Sequence, residues 1–169
     1  MDVMADHFDP SWHRVAPARW FDDFKLGERF VLPSRTIGDA SFAAFQMLSG
    51  DNHPIHYDIE YCRRRGFTEL LAHGFQVTGL TAAGAGMFPH MMGDASLGFI
   101  SQTSTFLLPV FRGDTLYPEL IISALLPRTT TGVIVLASKV HNQHGARVLE
   151  GEQRYLVRRR PANGKAKLV

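Results

Sequence analysis

Apolar positions follow two rhythms along this chain. Between residues 39 and 88 they fall at helical spacing or in near-continuous runs, whereas beyond Gly98 they gather into β-branched and aromatic stretches separated by turn residues. The change predicts helices first and strands afterwards. Ahead of both, Trp20-Phe21-Asp22-Asp23-Phe24 leads into a turn at 25–28, and Phe30, Val31 and Leu32 mark a short strand over 29–36. Asp39-Ala40-Ser41 is placed to cap a helix reaching Leu48, with Phe42, Phe45 and Leu48 on one face. Asp58 is placed to cap a second helix over 59–65 that Gly66 ends, with arginines at the C-terminal end, where cations are favoured. A long helix is expected from Gly74 to about Met87, apolar all round as a helix surrounded by other structure is.

Four strands are expected over 98–107, 115–126, 132–142 and 147–157, separated by Pro109, Gly113-Asp114, Pro127-Arg128 and His144-Gly145. Their short links imply an antiparallel meander. The whole reads as one α+β domain in which an antiparallel sheet wraps a long central helix. A polar leader over 1–17, a domain over 18–160 and a frayed tail over 161–169 complete the layout.

Composition narrows the class. At 169 residues, 45% hydrophobic and 20% charged, the chain is one soluble globular domain rather than two enzymatic ones. A formal charge of +2 does not argue for nucleic acid, and the runs Arg63-Arg64-Arg65 and Arg158-Arg159-Arg160 read as solvated charge, with a phosphate contact the rival reading. Cys62 is the only cysteine, so no intrachain disulfide forms and a reducing cytoplasm fits. The acids and histidines of residues 1–17 do not make a signal peptide, and residues 74–88 are too short to span a membrane.

The densest chemistry lies in Ser49-Gly50-Asp51-Asn52-His53-Pro54-Ile55-His56-Tyr57-Asp58. Asp51 and His56 are five apart around Pro54, so a tight turn must bring them together, and an acid beside a neutral imidazole can hold a water for general acid–base chemistry. The bland alternative makes Asp51 a cap and His56 a core histidine. A metal is the second rival, with His53, His56, Asp58 and His73 as the donors, but His-x-x-His lacks further ligands in zinc order, and no metal is expected. No Gly-x-Ser-x-Gly elbow is present, Cys62 has no histidine at defined spacing, and Gly79, Gly84 and Gly86 read as helix–sheet packing contacts rather than a phosphate cradle. Ala72-His73-Gly74 opens the long helix. There, unpaired N–H groups can stabilise an oxyanion while glycine admits close approach, or the segment is an ordinary helix start.

Three blocks in order, Ser49-Gly50-Asp51 with Pro54-Ile55-His56 and Asp58, Ala72-His73-Gly74-Phe75, and residues 106–114 (Phe-Leu-Leu-Pro-Val-Phe-Arg-Gly-Asp), resemble the MaoC-like hydratase/dehydratase family, which includes the (R)-specific enoyl-CoA hydratases. The resemblance covers residues 21–157. It implies the hot-dog fold, a homodimer or dimer of dimers joined through open sheet edges, and an acyl-CoA substrate. CoA enters only as part of that substrate; no other cofactor, no nucleic acid and no membrane are implied. Carried over by position, Asp51 and His56 are the catalytic pair and the Gly74 N–H polarises the thioester carbonyl. His53, Pro54, His73, Phe75 and Thr78 are the implied substrate-binding residues. The implied reaction is reversible syn hydration of a trans-2-enoyl thioester. An acyl-CoA thioesterase, or a non-catalytic acyl-thioester binding partner of the same fold, are the alternatives. This chain departs from the family twice: His53 stands where Asn is common, and Ala82 stands where a helix serine is often found, with Thr78 and Thr81 as the nearby hydroxyls.

Overall fold

The computed structural model describes residues 8–161, so all but the first residue of the tail expected at 161–169, and the first seven residues of the leader, lie outside the described residues. Two short strands, β1 (Arg29–Val31) and β2 (Arg35–Thr36), precede helices α1 (Asp39–Ser49) and α2 (Ile59–Arg64). Two further short helices, α3 (Gly74–Gly79) and α4 (Phe88–Met92), lead to four long strands: β3 (Ser96–Phe106), β4 (Thr115–Pro127), β5 (Thr131–Asn142) and β6 (Arg147–Arg158). No helix of the described residues is long and apolar enough to cross a membrane.

The local punctuation acts as its chemistry requires. Asp58 caps α2 by accepting the Tyr61 N–H at 3.0 Å, and Gly66, at φ 84°, follows its end. At α1 the N-cap is Gly38, so the expected Asp39 cap moves one residue into the first turn. The expected strand over 29–36 is split in two, because Pro33 offers no N–H to the ladder.

The long helix expected from Gly74 to Met87 is not continuous. It breaks into α3, a 3₁₀ turn at Ala83–Ala85 and α4. The carbonyl of Thr81, which a continuing helix would need, accepts instead from the Gln153 Nε2 at 2.7 Å, and the Thr81 hydroxyl donates to the Thr78 carbonyl at 2.8 Å. Of the three glycines expected to pack there, only Gly86 meets a neighbour: a Cβ would stand 2.5 Å from Leu32 Cδ2, whereas Gly79 and Gly84 face open space.

Strand order is the second correction. β4, β5 and β6 form the expected meander, but β3 pairs with β6 rather than β4, giving the antiparallel order β1-β4-β5-β6-β3 with β2 also on β4. The link between β3 and β4 is therefore not a hairpin turn. Its backbone pairs with remote segments: Leu107 N–H to Val148 O, Ala72 N–H to Val110 O, Arg112 N–H to Leu70 O and Gly113 N–H to Ile37 O, all between 2.8 and 2.9 Å. The long β5, covered on both faces over 132–136, lies at the centre, while β3 is an open edge carrying exposed Leu97, Phe99, Ile100 and Phe106.

Candidate active site

The site grows from the end of α1. Gly50, at φ 69°, turns the chain in the left-handed conformation that an L side chain would strain, and its N–H closes on Gln46 O at 2.8 Å. The following loop is held by its own side chains. Asp51 Oδ1 accepts the His53 N–H at 3.0 Å, and His53 Nδ1 accepts the Ile55 N–H at 3.2 Å. Pro54 then starts a 3₁₀ turn, Pro54–His56. Asp51 thus makes the local bond of the bland reading and still offers Oδ2, with its side chain 47% exposed.

A second segment aims His56. Leu71 donates its N–H to Ile55 O at 3.1 Å and accepts from His56 Nδ1 at 2.6 Å. A carbonyl only accepts, so Nδ1 carries the hydrogen and Nε2 keeps the lone pair that chemistry needs. Residues 70–72 are in turn pinned to residues 110–112, including the Leu71–Phe111 bridge. The sequence spacing of Asp51 and His56 gives no hint of this Leu71 carbonyl. It can be found only once the link after β3 is seen to pair with residues 70–72.

His73 sits in the same cluster. Its ring stacks on that of His56 with centroids 3.6 Å apart and planes 22° apart, its Nε2 lies 3.8 Å from Asp51 Oδ2, and Tyr57 Oη is 3.1 Å from Nε2. Only 3% of His73, one of the expected substrate-binding residues, is exposed, and its ring is surrounded by protein groups. Tyr57, adjacent to His56 in sequence and overlooked by motif reading, converges on the cluster.

Electrostatics favour a charged acid beside a neutral imidazole. The His53 N–H bonded to its carboxylate holds Asp51 below the ordinary carboxylate value against some desolvation, with the neighbouring imidazoles adding. Desolvation pushes His56 below its ordinary value, opposed by the Leu71 hydrogen bond and Asp51 and assisted by His73. Desolvation, then Asp51, raises the Tyr57 hydroxyl, which stays protonated.

Gly74, first residue of α3, borders an apolar cavity of about 410 Å³ lined also by Val77, Phe106, Leu108, Val110 and Val148. A Cβ on Gly74 would stand 2.8 Å from Phe106 Cζ, so glycine here first admits the Phe106 ring. Phe75 is 80% exposed beside it, and Thr78 bonds Ser104 Oγ at 3.1 Å. Cys62 is fully buried with its thiol on Ile55 O, a structural role. Of the arginine runs, Arg159 and Arg160 are engaged by Asp22 and Asp23, and Arg63 by Glu60.

Asp51, His56 and His73 bring one donor atom each within 4.8 Å of one another, the spacing a metal would need. Ring lone pairs lie in the ring planes, however, and two imidazoles stacked 22° from parallel do not aim at one point. The donor set fits a water better than an ion.

A family model described as MaoC like domain matches residues 23–141. An (R)-specific enoyl-CoA hydratase of Aeromonas caviae is 31% identical over 128 residues, which cover 76% of this chain and 91% of that one. A mitochondrial 3-hydroxyacyl-(acyl-carrier-protein) dehydratase of Solanum lycopersicum is 29% identical over 121 residues, 70% of this chain and 69% of that one. Among solved structures, a Mycobacterium tuberculosis protein with a double hotdog fold matches with a TM-score of 0.72 at 22% identity, over 90% of this chain and 47% of that one. The fold is thereby the hot-dog fold.

Proposed function

The chain belongs to the MaoC-like domain family and is a hydro-lyase of the hydratase/dehydratase kind; on that premise we propose that it adds water reversibly to a trans-2-enoyl-CoA, with Asp51 and His56 as the catalytic pair. The carrying observation is that an Asp51 carboxylate oxygen and a His56 ring nitrogen lie within 4.8 Å of each other, with His56 Nδ1 bonded to the Leu71 carbonyl. In this reading the pair holds the water, takes one of its protons as oxygen bonds to C3, and returns a proton to C2 on the same face. Negative charge then gathers on the thioester oxygen, where the Gly74 N–H is the donor. His53, Pro54, Phe75 and Thr78 line the approach of the acyl thioester. No metal or redox group has a step, and CoA enters only as part of the substrate.

The reading includes a homodimer joined through β3. Support comes from the length of that open edge and from its exposed Leu97, Phe99 and Ile100, an arrangement that invites pairing with a second copy. Sedimentation at micromolar concentration should show a dimer for the parent and a monomer for Ile100→Lys; a monomeric parent would overturn this part of the reading.

Turnover on a panel of 2-enoyl-CoAs, with acyl-carrier-protein thioesters alongside, tests the reading through loss of the conjugated-thioester absorbance. Release of free thiol without water addition would replace it with thioester hydrolysis.

A further inference from the structure

His73 has no step in the water addition, yet it is the most enclosed imidazole of the cluster. Its ring lies against His56 at 3.6 Å, Phe45 at 4.7 Å, Tyr57 at 5.5 Å and Phe42 at 6.3 Å between centroids. Its hydrogen bonds define one tautomer. The backbone N–H of His73 donates to Gln76 Oε1 at 3.4 Å, so the atom Gln76 presents is an acceptor, and His73 Nδ1, also 3.4 Å from it, is the protonated nitrogen. Nε2 therefore accepts from the Tyr57 hydroxyl. The ring is fixed at both nitrogens and on its faces.

His56 has less of its own. The one hydrogen bond of its ring among the described residues, from Nδ1 to Leu71 O, fixes a point on the ring but leaves rotation about that bond open. The flat, immobile surface of His73 removes that freedom. We propose that His73 is a positioning residue: clamped by Tyr57 and Gln76, it is the platform that holds the His56 ring with Nε2 toward Asp51. The groups facing His56 are Asp51, His53, Tyr57 and His73, with Tyr61 reached through the His53 ring. Of these, His73 is the one whose ring lies within stacking distance of the His56 ring.

The kinetic part of the proposal rests on the catalytic reading of His56; the placement of its ring does not. His73→Ala removes the platform, and kcat for 2-enoyl-CoA hydration should fall by about 10²-fold with KM little changed, since misplacement by about 1 Å costs that much. His73→Phe restores a flat ring without nitrogens. It should recover kcat to within about tenfold of the parent, and the His56 Nδ1–H signal, bonded to the Leu71 carbonyl, should stay sharp in NMR spectra where His73→Ala broadens it. Retention of kcat within about threefold in His73→Ala, or a His56 Nδ1–H signal as sharp in His73→Ala as in the parent, overturns the proposal. If neither variant folds, Tyr57→Phe decides: it releases His73 Nε2, and kcat should fall several-fold at unchanged KM, whereas unaltered kcat overturns the clamp. An unmodified protein without hydratase activity would defeat the catalytic reading, while the His56 Nδ1–H signal would still judge the platform.

Discussion

Two clusters of buried side chains divide this molecule, and they are held together differently. Around Phe88 the packing is aromatic and between side chains: Phe24, Phe30 and Tyr155 place their rings 5.0 to 5.6 Å from it, with Leu120, Ile134 and Leu136 beneath. Around Cys62, Leu70, Ala72, Val110 and Leu149 the side chains are smaller, and the irregular segments crossing the cluster are tied by backbone hydrogen bonds. The first arrangement supplies cohesion. The second supplies position, because directional bonds fix the Leu71 carbonyl and hence His56 in a way that apolar contact does not. The candidate site lies on the half where geometry is specified by the main chain.

Changes that separate the two halves test this division. The largest effect belongs to the site half: Asp51→Asn and His56→Ala should each lower hydration kcat by about 10²–10⁴-fold, with thermal midpoints close to the parent's. Losses under about threefold in both would remove the pair from the mechanism. Next comes Phe88→Ala, expected to cost about 3–5 kcal/mol of unfolding free energy in denaturant titration, through lost burial and a cavity. Measured well below its transition, this variant should keep parental kcat, and a large activity loss would dissolve the distinction between the halves.

Gly74→Ala probes where the two kinds of support meet. Its Cβ would collide with the Phe106 ring, so a stability loss of about 1–3 kcal/mol is expected together with a drop in kcat, and Phe106→Leu in the same chain should recover stability. His53→Asn should change kcat on a simple enoyl-CoA by no more than about threefold, because Asn retains a side-chain acceptor for the Ile55 N–H. A hundredfold fall would place His53 in the machinery.

The smallest effect is a pH dependence. His56 is held below the ordinary imidazole value of 6.5 chiefly by desolvation, so between the two values the unfolded chain binds the proton more tightly. Stability therefore rises with pH across that window and falls on acidification. Thermal melts should show this acid slope reduced in His56→Gln and unchanged in Phe88→Ala.

Much of the site was legible in ten residues. The acid, the histidine and the proline between them predict a turn with both side chains in reach, and Asp58 and Gly66 mark the helix that follows. The supporting contacts were not legible. Tyr57 lies between His56 and Asp58 without a motif to single it out, and His73 reads as a helix start until its ring is seen against His56. The long helix failed for a related reason: an apolar, glycine-rich run has helical spacing whether it is one helix or three pieces, and Gln153, 72 residues away, takes the Thr81 carbonyl.

What the sequence by itself determined is local: turns, caps, strand lengths and the residue types that chemistry demands, because these depend on neighbours within a few positions. Tertiary structure alone decided that β3 lies beside β6 instead of β4, that residues 107–113 cross to bind 37, 70, 72 and 148, and that a backbone carbonyl aims the His56 imidazole. Those choices are made by main-chain donors and acceptors that every residue carries alike, so no pattern of side chains announces which distant pair will meet.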